Sequence, residues 1–337
     1  MKINFEHKQA AHCENGVTTS LLQFNGINKI TEPLAFGIGA GLFFVHLPFV
    51  KINNGPAIAF RSMPGLIFKT TCKSLGIPVV RKKFSTKEAA EKALLERVAA
   101  GQPVGCQVGV YYLTYFPKEY RFHFNAHNLI VFGKEDDNYL ISDPIMETAT
   151  TLTSYELERV RFAKGALAPK GQIYYPGKIE SPVTDTHIAL AIKKGIKKNV
   201  FYMLKIPSKI VGVRSIANTG NKIKKWRGKL GPKTAGLYLA QLVRMQEEIG
   251  TGGGGFRYIY AAFLQEAYQF IPKQELLEAS KMFTQSGDLW RTAAVQAAGI
   301  YKGRIGSQED YDTMGNYLIE ISDIEKKAFQ VLSKIKW

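Results

Sequence analysis

The spacing of apolar positions changes character near residue 180. Before that point apolar residues come in short runs bounded by glycine, proline and acidic turns, which is the pattern of strands with a few short helices. The first run, Val17-Thr18-Thr19-Ser20-Leu21-Leu22, reads as a helix preceded by the turn-forming Asn15-Gly16. Residues 34–50 read as a buried strand and loop, and residues 65–75 as a helix stopped by Gly76. Ser85-Thr86-Lys87-Glu88 has the form of a capping box with Ser85 as N-cap, and its helix ends before Gly101 and Pro103. Strands are predicted at 79–84, at 104–115, from His127 onward and at 139–142. A short helix at 155–162 and a strand at 172–175 close the series. Pro176, Gly177, Ser181 and Pro182 mark a boundary. Beyond it the apolar period becomes helical, with helices predicted at 187–203, 208–225, 232–248, 256–268, 273–286, 290–302 and 308–334. The pattern therefore predicts an α+β domain over residues 1–178 and an all-α domain over residues 184–337.

Two stretches carry candidate chemistry. Ala11-His12-Cys13-Glu14-Asn15-Gly16 places one cysteine at or just before a helix N-terminus. Unpaired backbone N–H groups and the helix dipole favour a thiolate there, and the thiolate is the nucleophilic form. The competing reading of Cys13 is a buried small hydrophobe. The second stretch runs from His127 through Gly133 and the acidic turn Asp136-Asp137 to Asp143-Pro144. It predicts a hairpin with His127 opening one strand and Asp143 ending the next, which antiparallel pairing brings together. A carboxylate that orients an imidazole, and an imidazole that serves a thiol, form a nucleophilic triad of Cys13, His127 and Asp143. Cys72 and Cys106 sit in apolar contexts and read as structural. His123 lies four residues before His127, but in loop and strand rather than helix, and no metal site is predicted.

In these residues the chain resembles papain-like cysteine enzymes, and most of all the N-terminal domain of the BtrH family, named for butirosin biosynthesis protein H. The Cys…His-x5-Gly…Asp-Pro order is similar to that of peptidase domains in bacteriocin-exporting ABC transporters. Leu34 to Leu42, Ala100-Gly101-Gln102-Pro103-Val104, Tyr111-Tyr112-Leu113 and Leu157-Glu158-Arg159-Val160-Arg161 extend the likeness. The C-terminal half, with Gly250-Thr251-Gly252-Gly253-Gly254-Gly255-Phe256-Arg257, resembles the helical domain of unknown function that often follows. The resemblance implies a papain-like fold with an antiparallel sheet and a catalytic N-terminal helix. His7 falls where related enzymes place a glutamine that helps form the oxyanion hole, with Gln9 as the rival donor and the Cys13 N–H as the other. Asn15, Tyr112 and Arg257 are further oxyanion or substrate candidates. Arg257, behind Gly252–Gly255 at a helix start, is placed to hold a phosphate or pair with a carboxylate.

Length and charge refine this picture. The chain has 337 residues, 45% hydrophobic and 22% charged, as ordinary globular proteins do. Glu6, His7, Lys8 and Gln9 interrupt any signal-peptide pattern, and no apolar run reaches the roughly 18 residues that span a bilayer. Three cysteines without regular spacing argue against a disulfide framework and for a reducing cytoplasm. The net charge is +17, and between Asp185 and Lys233 there are thirteen Lys or Arg against Asp185 alone, so that window holds twelve of those charges. It is either a solvated face or a docking face for an acidic acyl carrier protein or anionic membrane; nucleic acid is disfavoured by few aromatics and no accompanying motif.

The resemblance implies acyl transfer through a Cys13 thioester. The donor would be the phosphopantetheine of a carrier protein, with no bound cofactor, and the acceptor an amine or hydroxyl of a small secondary metabolite. A cysteine peptidase or amidase on the same triad is the alternative enzyme. A non-enzymatic binding protein that keeps the fold is a third class, against which the intact triad argues.

Overall fold

The computed structural model describes residues 1–52, 55–248 and 250–337. In chain order it runs α1 (Cys13–Phe24), α2 (Glu32–Ile38), β1 (Leu42–Ile52), β2 (Gly55–Arg61), α3 (Leu66–Ser74), β3 (Val79–Lys82), α4 (Lys87–Ala99), β4 (Val104–Val108), β5 (His127–Glu135), β6 (Asn138–Ser142), β7 (Thr150–Thr153), α5 (Ser154–Arg161) and β8 (Ile173–Pro176). Helices α6 (Asp185–Val200), α7 (Gly212–Leu230), α8 (Pro232–Val243), α9 (Arg257–Phe270), α10 (Gln274–Tyr301) and α11 (Gln308–Ser333) complete it. Its contacts divide the chain into two units: Met1–Ala35 with Ile67–Thr184, and Phe36–Leu66 with Asp185–Trp337.

The first unit is α+β. Its sheet has six strands in the order β3-β8-β4-β5-β6-β7, every neighbouring pair antiparallel. β5 lies inside the sheet, and its continuous apolar run is buried from His127 to Gly133. The turn into β6 uses Asp136 at φ 50, a left-handed conformation that aspartate tolerates better than most residues. Beyond β4 the N-terminal arm pairs with β5, with Ile3 N–H on Phe132 O at 3.0 Å and Lys134 N–H on Met1 O at 2.8 Å. This docks the residues that lead into α1 on the sheet.

Local details depart from the sequence reading for identifiable reasons. Helix α1 begins at Cys13, so Asn15 and Gly16 are helical rather than a preceding turn. Gly16 is needed for approach: a Cβ there would stand 2.5 Å from Pro144 Cβ and 2.7 Å from Ala10 Cβ. The strand predicted to 115 ends at Val108, because the next N–H, of Gly109, bonds Val160 O outside the sheet at 2.8 Å. The N-cap of α4 is Thr86, not Ser85, and its hydroxyl accepts the Ala89 N–H, so Glu88 does not complete a capping box.

The second unit holds the expected C-terminal helices, and also residues 36–66, which the linear cut at 178–184 had put in the first domain. The hairpin β1–β2 joins these helices through Asn199 Nδ2 on Leu42 O at 2.6 Å and His46 N–H on Ile210 O at 3.1 Å. Phe44 and Phe60 pack on Trp290, and Phe36 stacks on Phe256 with ring centres 5.2 Å apart. Glycines in this stretch serve the same packing: a Cβ on Gly37 would collide with the Phe263 ring, and one on Gly41 with the Phe36 ring. Residues 273–302, read as two helices, form the single helix α10. Among the described residues no helix is long and apolar enough to cross a membrane.

Candidate active site

Two glutamates, Glu32 half-buried and Glu14 fully buried, fix the start of α1. Glu32 accepts the backbone N–H groups of Ala11 at 3.0 Å and His12 at 2.8 Å. Burial raises its pKa, although these hydrogen bonds pull the other way. Glu14, the residue after Cys13, turns its carboxylate to the first N–H groups of α3, with Ile67 N at 2.9 Å and Phe68 N at 3.4 Å. His12 is the N-cap, its Nδ1 accepting the Asn15 N–H at 3.3 Å, so its ring is engaged in capping the helix. Cys13 is thereby the first residue of the helix and only 7% exposed.

The sheet supplies the partners. Ile130 pairs with Ser142, which sets Asp143 one step on, diagonal to His127 across the β5–β6 pair. His127 Nε2 lies 2.6 Å from Asp143 Oδ2, and the imidazole also hydrogen-bonds the Cys13 thiol. With Nε2 on the carboxylate, Nδ1 is the ring nitrogen left to serve the sulfur. Asp143 Oδ1 accepts the Ile145 N–H at 3.1 Å. The three residues proposed from sequence therefore form a chain of contacts from Cys13 through His127 to Asp143, all buried.

Electrostatics favour a charged imidazole here. Burial opposes the imidazolium, but attraction to Asp143 and Cys13 and the hydrogen bonds to both prevail, and the His127 pKa rises to about 10. Cys72 and Cys106 have no such company: burial pushes them up to about 12 and about 11.

The other candidates fall out differently. His7 has both ring nitrogens engaged, with Ser142 Oγ at 2.8 Å and Met146 O at 3.0 Å, so it braces the chain on either side of Asp143 and is not an oxyanion donor. Gln9 is exposed, and no hydrogen bond ties it to Cys13 among the described residues. Asn15 is fully buried beside Glu32, behind the nucleophile, with no hydrogen bond of ordinary geometry for its amide. Tyr112 lies under the Arg159 guanidinium, 4.1 Å from it, rather than at the triad. Arg257 belongs to the helical unit, where Glu325 already binds its Nε at 2.8 Å and Nη2 at 3.0 Å. The Gly252–Gly255 loop likewise spends an N–H on the chain's own carboxylate, Gly254 N on Glu247 Oε1 at 3.1 Å.

Two further residues reach the site; the sequence offered Asn128 only as a substitute for Asp143, and it did not offer Tyr115 at all. Asn128 brings its amide Nδ2 to 3.8 Å from Cys13 Sγ, held by Tyr174 Oη on its Oδ1 at 2.8 Å. Tyr115 donates to Asp143 Oδ2 at 2.7 Å. Adjacency of Asn128 to His127 was a signal for the first; nothing in the loop pattern signalled the second.

The family model described as butirosin biosynthesis protein H, N-terminal, matches residues 12–144, and the domain of unknown function DUF4872 matches residues 155–332. Among solved structures, a candidate C39-like peptidase from Bacillus anthracis aligns at 15% identity with a TM-score of 0.37, over 54% of this chain and 100% of that one. No curated protein gives a significant match. The DUF4872 model covers more than half of this chain, so the chain belongs to the DUF4872 family, with a segment that matches the BtrH N-terminal model ahead of it.

Proposed function

We propose that the chain is an acyltransferase that carries its acyl group on Cys13. The observation that supports this most is the buried Cys13–His127–Asp143 contact at a helix N-terminus, within a domain named for a butirosin biosynthesis protein. The Cys13 thiolate attacks the carbonyl of a donor thioester, and the new C–S bond displaces the donor thiolate, which takes the proton held on His127. An acceptor amine or hydroxyl then gives its proton to His127 as it attacks the acyl-enzyme, and Cys13 leaves as thiolate. Asp143 keeps the imidazole oriented through both steps. The Cys13 backbone N–H and Asn128 Nδ2 are the donors at hand for the developing oxyanion.

The donor in this reading is the phosphopantetheine arm of an acidic carrier protein in secondary-metabolite biosynthesis, with no bound cofactor. What supports it is the basic window: none of its thirteen Lys and Arg is buried or ion-paired among the described residues. Three free cysteines suit a cytoplasmic setting. The test is incubation with an acyl-pantetheine thioester with and without an amine acceptor, followed by intact mass and product analysis. An adduct on Cys13 that resolves to amide supports transfer; free acid at the same rate in both cases makes the chain a hydrolase. Reversing Lys197, Lys198, Lys224 and Lys225 to Glu should slow turnover of a carrier-bound donor and spare the pantetheine donor. Loss of anionic-vesicle binding with carrier turnover intact would assign the face to membranes instead.

A further inference from the structure

Residues 114–121, in the connection from β4 to β5, are closed by their own arginine. Arg121 Nε donates to Phe116 O at 2.7 Å and its Nη2 donates to Thr114 O, so one guanidinium holds the carbonyls on both sides of Tyr115. The two side chains so presented grip both members of the acid–base pair. Tyr115 Oη meets Asp143 Oδ2 at 2.7 Å, the same oxygen that receives His127 at 2.6 Å. The Phe116 ring stands edge-on to the His127 ring, with centres 5.5 Å apart and planes at 71°. With Ile145 N–H on Oδ1, both carboxylate oxygens are held.

A tyrosine that only filled space would need no hydroxyl here, and this hydroxyl is aimed at the carboxylate rather than at backbone. The ring is partly exposed while the hydroxyl is enclosed. Burial, then the charge of Asp143 and the hydrogen bond to it, hold its ionisation well above the usual tyrosine value, so it stays a neutral donor.

We propose that Tyr115 is a positioning residue of the site, holding Asp143 Oδ2 in the orientation that fixes His127, with Arg121 shaping the loop that delivers it. The proposal rests on the reading of Cys13, His127 and Asp143 as the reacting group. The ionisable groups facing His127 are Cys13 and Asp143; Tyr115 stands behind Asp143, and His7 on the neighbouring Ser142.

Alkylation of Cys13 by iodoacetate across pH tests it in the full chain, without knowledge of the substrate. An anionic reagent is favoured by imidazolium beside thiolate, so the rate is bell-shaped and its upper limb reports loss of the His127 proton. Tyr115→Phe keeps the ring. It is expected to lower the maximum roughly tenfold, as loss of a hydrogen bond to a charged group does, and to move the upper limb to lower pH. The His127 imidazole N–H signal in proton NMR should move upfield or broaden away. Arg121→Gln, which touches neither Asp143 nor His127, should move both readouts in the same direction by less, and serves if Tyr115→Phe is unstable. An unchanged limb and maximum in both variants overturns the proposal. His127→Ala separates it from its premise: if that change leaves the wild-type profile intact, the triad reading itself is wrong.

Discussion

Replacing Glu325 with Ala should be among the most damaging single changes in the helical unit. Both side chains of the Arg257–Glu325 pair are 0% exposed. Glu325 Oε1 accepts Arg257 Nε at 2.8 Å, Ser286 Oγ at 2.7 Å and Trp290 Nε1 at 3.1 Å, while Oε2 accepts Arg257 Nη2 at 3.0 Å. Removing one partner of a buried pair costs about 3–5 kcal/mol, because the remaining charge is stranded. A hydroxyl and an indole N–H also lose their acceptor, at about 1–3 kcal/mol each, though such losses do not add fully. The expected destabilisation is at least about 4 kcal/mol, a large part of the roughly 5–15 kcal/mol that holds a domain. In urea unfolding followed by circular dichroism, with a slope of about 1–3 kcal/mol/M, the midpoint should fall by more than about 1 M. The double variant Arg257→Met, Glu325→Leu removes both charges and should recover the stranded-charge part of the loss, leaving the cost of the unpaired Ser286 and Trp290 donors. A Glu325→Ala midpoint within experimental error of wild type would refute this account of Arg257 and reopen its assignment as a ligand group.

Brief iodoacetamide treatment at neutral pH, read by peptide mass spectrometry, should label Cys13 far ahead of Cys72 and Cys106, both buried and pushed well above the usual thiol range; equal labelling would remove the case for a nucleophile. His46 should make the protein acid-sensitive. Its Nδ1 meets Thr219 Oγ1 at 2.9 Å, and burial, helped by repulsion from Lys222, lowers its pKa from 6.5 to about 4. The unfolded chain then binds the proton first, so stability present above about pH 6.5 is lost as pH falls towards 4, by up to about 3 kcal/mol. Denaturation at pH 7 and pH 5 should show that slope in wild type and a smaller one in His46→Gln; equal slopes would count against it.

The triad was legible because its chemistry depends on local order: a cysteine at a helix start, and a hairpin whose register follows from the strand pattern around Asp136-Asp137. Tyr115 was not, because its role depends on where an irregular loop returns, and no periodicity encodes that. His7 was misread for the opposite reason: its place along the chain suited an oxyanion donor, but its ring nitrogens found partners 135 and 139 residues away. Ser286-Gly287 looked like a helix break and is neither end nor turn. Ser286 is there to bond Glu325, and a Cβ at Gly287 would stand 2.8 Å from the Tyr258 ring, so both residues answer to tertiary packing inside an unbroken helix. The same holds for residues 36–66, whose strand pattern is plain but whose allegiance to distant helices is set by aromatic contacts that no linear boundary reveals.

That allegiance has a consequence for biogenesis. The hairpin leaves the ribosome roughly 120 residues ahead of α6, which at about 5–20 residues per second is roughly 6–24 s of waiting. During that interval Phe36, Phe44 and Phe60, all but fully buried at the end, have no surface to cover them. The nascent chain is thus a natural client for holdase chaperones while the rest of its triad-bearing unit is still being synthesised. A gene cut after residue 184 would fix that interval permanently, yielding a triad-bearing fragment with an orphan apolar hairpin looped out between α2 and α3.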